Sequence, residues 1–262
     1  MSDNVPVRLP TRFLEKVWGT TDLLPWYPPS QAKIGEVWFE ADLPLLVKFV
    51  FTSDRLSVQV HPNDEFASLH EKSLGKTEMW YVLRADPGAR LAIGFREAIT
   101  PERLRESALN GEIVDLLNWI EVQAGDAFFI PAGTVHAIGG GLALCEVQQH
   151  SDITYRLYDY GRPRELHLDK SIQVAFTGAS DPKSVMLPID CQYFHTELDR
   201  TSSSLLYKPE HGRFHVVIFV SGTGTIADQP FREGEAWLIP AASAPFSIEP
   251  DGPVKFLRTW VP

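Results

Sequence analysis

Residues 125–136 read Gly-Asp-Ala-Phe-Phe-Ile-Pro-Ala-Gly-Thr-Val-His. Residues 234–245 read Gly-Glu-Ala-Trp-Leu-Ile-Pro-Ala-Ala-Ser-Ala-Pro. Glycine, acid, alanine, aromatic, apolar, isoleucine, proline and alanine recur in register. A repeat of this kind predicts two related units. Gly125-Asp126 is a turn signal leading into a four-residue apolar strand, which Pro131 ends. Gly133 permits the turn that aims His136 inward. In the second copy the His136 position is Pro245, which cannot ligate a metal. Metal chemistry is therefore expected only in the first unit.

Outward from these copies, the chain is rich in strand and turn signals. The 262 residues carry 20 prolines, 18 glycines and 29 aromatic side chains (15 Phe, 7 Trp, 7 Tyr), a bias towards β structure over a helix bundle. Strands are expected over 36–40, 45–51, 56–60, 78–83, 90–93, 127–130, 135–138 and 142–149. Residues 1–35 read as irregular, with prolines at 6, 10, 25, 28 and 29. One helical stretch interrupts the strands near 100–118. It opens on Thr100-Pro101-Glu102, an N-cap, a first-turn proline and an acidic first turn. A short helix is expected at 167–175. The expected division is 1–178, holding the first barrel half and its helical insert, and 179–262, a degenerate second half.

A net charge of −10 disfavours a nucleic-acid partner and requires a local positive pocket for any anionic substrate. No apolar run approaches the length of a membrane span, and no apolar leader is seen. Two cysteines in unrelated contexts give no disulfide framework. The expectation is a soluble, cytoplasmic monomer.

The chemistry concentrates upstream of the first copy. Gln59 and His61 lie two apart on a strand and share a face. Glu78 opens the next strong strand. With His136 they offer two imidazoles, one carboxylate and one amide oxygen, a plausible four-ligand set for a divalent metal.

The Gly-x5-Pro-x-Gly-x2-His spacing matches the second motif of the cupins. Four stretches then occur in order: Ser57-Val-Gln59-Val-His61-Pro-Asn-Asp64, Gly75-Lys76-Thr-Glu78-Met-Trp80-Tyr81, Phe129-Ile-Pro131-Ala-Gly133-Thr-Val-His136, and Glu146 through Ser151-Asp152 and Arg156 to Gly161-Arg162. Together they resemble the type I mannose-6-phosphate isomerases, zinc-dependent bicupins. The resemblance is close over about residues 16–175 and architectural beyond.

It implies an all-β bicupin of two jelly-roll-like halves. It implies one zinc ion per chain on Gln59, His61, Glu78 and His136. It implies Glu146, Arg156, Lys76 and Asp152 as catalytic residues, with Ser57, Lys48 and Arg162 towards the phosphate of a hexose 6-phosphate. The implied reaction moves a proton between C2 and C1 through a cis-enediol. Glu146 is the favoured base, with Asp152 orienting Arg156. Two departures stand out: Trp18-Gly19-Thr20 replaces a Trp-Gly-Gly, and the helical region is short. A metal-dependent cupin oxygenase, reading two His and one Glu as an iron triad, and a non-catalytic sugar-phosphate-binding cupin are the competing classes.

Overall fold

A computed structural model describes residues 4–262. Four antiparallel sheets dominate it, and helices are few and short. The all-β, cupin-like architecture is as expected.

The first half holds two sheets. One runs in the order Thr11–Thr20, Ile34–Phe39, Leu45–Thr52, Leu142–Gln149, Glu78–Ala85, Ala127–Ile130. The other runs Tyr155–Tyr158, Val58–Val60, His136–Ile138, Arg90–Phe95, Leu117–Glu121. C-terminal strands, joined at one edge by Val7–Arg8 from the N-terminal stretch, build the remaining two. Their larger sheet runs Val7–Arg8, Ala236–Ile239, His215–Ser221, Val254–Trp260, His195–Thr201, Ile189–Asp190. The smaller runs Leu205–Tyr207, Phe246–Pro250, Thr223–Ile226, Gln229–Arg232.

Side-chain alternation explains how the site is positioned. Every residue of Leu45–Thr52 and of Leu142–Gln149 is buried. Val47, Phe49, Phe51, Ala143, Cys145 and Val147 face a core that also takes in Val216, Ile218 and Leu257 from the C-terminal strands. Val50 and Leu144, of the opposite parity, pack with Trp80 and Val82 inside the first barrel. Lys48 and Glu146 share that inward parity. Both faces of the sheet are covered, which is why these strands read as nearly unbroken apolar runs.

The helix Pro101–Asn110 forms where its caps predict. Thr100 accepts a hydrogen bond from the Arg103 amide, and Gly111 closes the helix at φ 88°. Ile113–Leu116 and Leu168–Val174 follow as short helices.

One local expectation fails, and one helix is added to those expected. Residues 1–35 are not irregular throughout: Thr11–Thr20 is a ten-residue strand paired with Ile34–Phe39. That stretch contains no proline, and one of its faces is mostly exposed. The prolines on either side hid it. The helix Asp64–Glu71 was also not anticipated. Asn63 caps it by accepting from the Phe66 amide at 2.9 Å, although Pro62-Asn63-Asp64 reads as a turn.

Candidate active site

His136 begins its strand directly after the Pro131–Gly133 turn. Gly133 sits at φ +86°, and a Cβ there would meet the Val174 carbonyl oxygen at 2.9 Å. Only glycine fits both the backbone angle and the space. In the sheet, His136 lies opposite Gln59, and Gln59 lies opposite Arg156 on its other side. One ligand atom from each of His61, Glu78 and His136 falls within 4.8 Å of the others, and all three residues are buried.

Both imidazoles are oriented from behind. His61 Nδ1 is 2.8 Å from the Ile153 carbonyl, and His136 Nδ1 is 2.9 Å from the Thr134 carbonyl. A carbonyl can only accept, so each Nδ1 carries the proton and each Nε2 presents its lone pair. The two Nε2 atoms turn towards Glu78, at 3.7 Å for His61 and 3.5 Å for His136. The Gln59 amide lies beside them, its Nε2 3.2 Å from His136 Nε2, while its Oε1 accepts from the Ser57 hydroxyl at 3.2 Å. The ammonium of Lys76 stands 3.2 Å from His61 Nε2 and 3.3 Å from Glu78. Lone pairs and a carboxylate converging on one buried point, with a cation already drawn to it, suit a divalent metal.

The electrostatics agree with that reading. Burial, reinforced by the Lys76 charge, holds His61 well below the usual imidazole range. Burial likewise brings His136 down to about 4, even though its bond to Thr134 opposes the shift. Both rings are neutral at ordinary pH, the form a metal needs.

Charges alternate across the barrel wall. Glu146 lies opposite Lys48 on the neighbouring strand, and their side chains pair at 3.1 Å. Lys76 reaches Glu146 at 3.8 Å, and Glu36 reaches Lys48 at 3.9 Å and Lys16 at 3.3 Å. Burial raises the Glu146 carboxyl, helped by the negative charge of Glu78, against the pull of Lys48 and Lys76. Burial works against the charge of Lys48, but Glu146 and Glu36 outweigh it and keep the ammonium protonated. Glu36 is the opposite case to Glu146: despite burial, Lys48, Lys16 and a bond from Trp38 hold it down at about 2.

These groups line one cavity of about 240 Å³. Of the eleven residues expected in the site, Lys48, Ser57, Gln59, Lys76, Glu78, Glu146, Asp152 and Arg156 line it directly. His61 and His136 reach it through their contacts with Glu78 and Gln59. Arg162 is placed elsewhere. Its Nε and Nη2 donate to the main-chain oxygens of Asp159 and Arg55, and Arg164 lines the cavity instead. Buried Asp159 clamps Arg164 through both carboxylate oxygens, at 2.6 and 2.7 Å. Arg156 pairs with no carboxylate among the described residues: its guanidinium donates to the Glu165 carbonyl, and its Nε is buried without a partner. Asp152 is exposed at the cavity edge and makes no ion pair with Arg156 among the described residues. Lys16, Glu36 and Arg164 were not foreseen, because nothing in their local sequence distinguishes them from solvated strand and loop charges.

No family model matches the chain. Among curated proteins, ManA of Bacillus subtilis, a mannose-6-phosphate isomerase, is 38% identical over 228 residues, covering 79% of this chain and 72% of that protein. The chain belongs to the mannose-6-phosphate isomerase family. The mannose-6-phosphate isomerase of Streptococcus mutans is 49% identical over 141 residues, covering 52% of this chain and 44% of that one. The crystal structure of the mannose 6-phosphate isomerase from Bacillus subtilis superposes with a TM-score of 0.86 at 26% identity, over 98% of this chain and 99% of that one. A putative mannosephosphate isomerase from Archaeoglobus fulgidus shares the fold, with a TM-score of 0.84 at 21% identity. As expected from its motifs, the chain joins the isomerase family rather than an oxygenase class.

Proposed function

We propose that the protein interconverts mannose 6-phosphate and fructose 6-phosphate, with one zinc ion held by Gln59, His61, Glu78 and His136. The observation that carries this reading is the convergence of His61, Glu78 and His136 on one buried point, in a cavity that also holds Lys76, Glu146 and Arg156. When bound, the metal supplies Lewis-acid polarisation and a template for two adjacent sugar oxygens. Gln59 joins the set once its amide is turned to present oxygen, an assignment that amide geometry leaves free.

Glu146 takes the proton from one carbon and returns it to the other through the cis-enediol. Its raised carboxyl pKa brings it nearer the working range of a general base. Lys76 and Arg156 face the negative charge that develops on the enediol oxygens. Ser57, Lys48 and the clamped Arg164 receive the phosphate, Arg164 taking the part expected of Arg162. Asp152 sits at the mouth, and its role is that of an edge charge rather than a partner to Arg156.

A reducing, cytoplasmic setting and a monomeric state complete the proposal. Cys145 and Cys191 are both free, and no helix among the described residues is long and apolar enough to cross a membrane. The test is a coupled assay with mannose 6-phosphate on protein stripped by chelator and then reloaded. Activity should vanish on stripping and return with zinc. A metal-replete protein without turnover, or one that carries iron and consumes oxygen, would overturn the reading.

A further inference from the structure

An opening larger than the catalytic cavity lies away from it. A cleft of about 530 Å³ lies on the flank of the first barrel, lined by Arg55, Arg90 and Arg96 together with Trp119, Asp115 and the Gly139 backbone. The charge pattern there is unusual for this chain. Most of its arginines pair with a carboxylate. Among the described residues, Arg55, Arg90, Arg96, Arg156 and Arg200 do not. Arg156 faces the catalytic cavity, and three of the other four converge on this cleft.

In a protein of net charge −10, three exposed guanidiniums that make no ion pair among the described residues stand out. Asp115 is the only carboxylate on the lining, and it makes no ion pair with any of the three; Arg96 bonds its main-chain oxygen instead. Two of the arginines are held in place. Arg55 stacks its guanidinium 4.2 Å from the centre of the Tyr160 ring, and Arg96 is fixed by that bond to Asp115. The Trp119 indole N–H is satisfied by the Val114 carbonyl, so the ring lines the cleft with its polar edge already used.

We propose that this cleft binds a phosphate-bearing small molecule, separately from the catalytic cavity. Guanidinium forks match phosphate oxygens, and three of them supply charge and direction. Trp119 supplies a surface for a flat or apolar group on the same ligand. The cleft also touches the catalytic machinery. Arg55 is followed directly by Leu56 and Ser57, which line the catalytic cavity.

The probe is AMP, which joins a phosphate to a flat base. It is titrated calorimetrically into the zinc-loaded protein, into Arg90→Gln/Arg96→Gln, and into Arg156→Ala. Saturable binding is expected in the unaltered protein, weakened about tenfold or more in the double variant and unchanged in Arg156→Ala. Arg90→Gln alone removes a side chain that makes no hydrogen bond among the described residues. It should weaken binding about threefold, so the test stands even if the double variant fails to fold. Absence of saturable binding, equal binding in the arginine variants, or loss of binding in Arg156→Ala would each sink the proposal. The last would assign the bound AMP to the catalytic cavity.

Discussion

The two copies of the Gly-to-Pro turn start alike and end differently. Both open on glycine at positive φ, Gly125 at +99° and Gly234 at +86°, and both run into a four-residue strand. In the first, His136 closes the turn fully buried. In the second, Pro245 occupies that place and is exposed. The interiors differ to match. The first barrel holds Lys48, Lys76, Glu78, Glu146 and two histidines out of water. The second is filled mainly with Phe219, Phe231, Phe256, Trp237 and aliphatic side chains, with His215, beside the Tyr207 hydroxyl, and Glu235 its buried titratable groups; Phe219 stacks on Phe231 with ring centres 3.6 Å apart. One frame can host either a charged site or a packed core. Buried charges are costly even when paired, whereas packed rings stabilise outright.

That contrast can be broken from either side. The largest effect is expected from Glu146→Gln, which should lower kcat by about 10²–10⁴ with zinc content and fold retained. Steady-state kinetics with metal analysis decides it, and a variant with full activity would move the proton transfer elsewhere. In the second half, Phe219→Ala should cost about 3–5 kcal/mol in urea unfolding and leave the kcat of the folded protein nearly unchanged. A matching loss of kcat would mean that the second half takes part in chemistry.

The next effect follows from pH in the metal-free protein. His136 titrates from an ordinary 6.5 when unfolded to about 4 when folded. Between those values the unfolded chain binds more protons. The stabilising contribution is therefore complete above 6.5, declines as pH falls, and is gone below 4. The span is about 3 kcal/mol, and His61 adds in the same direction. Urea midpoints from pH 7 to pH 4 measure it, and His136→Phe should flatten the slope.

A smaller effect separates two neighbouring arginines. Arg164→Ala should raise KM about tenfold and Arg162→Ala about twofold or less, since only Arg164 lines the cavity. The reverse order would restore Arg162 to the phosphate. Smallest of all, Pro245→His should add no zinc by elemental analysis. Position 245 is exposed, and among the described residues the three-ligand cluster of His61, Glu78 and His136 has no counterpart in its half, so an added imidazole there completes no site.

The metal set was legible because its signals are local. A proline that must end a strand, a glycine that must turn and a histidine three residues after that glycine are fixed by backbone sterics, and Gln59 and His61 share a face by strand parity alone. Lys48 was visible as a lysine inside an apolar strand, though only the double-sided burial of that strand turned it inward. Glu36, Lys16 and Arg164 were not visible. Their placement depends on which strands become neighbours and on the clamp from Asp159, which are tertiary facts. The strand Thr11–Thr20 was missed for a related reason. It buries little of itself, and its pairing with Ile34–Phe39 is interrupted by register shifts that no short pattern announces.

One pairing sets a timetable for synthesis. Val7 and Arg8 close the edge of the sheet against Leu238 and Trp237. During synthesis the earliest described strand therefore waits for one made about 230 residues later. At about 5–20 residues per second, that delay is on the order of ten to fifty seconds. Throughout it, the edge of Ala236–Ile239 does not yet exist and the Val7–Arg8 segment has no partner.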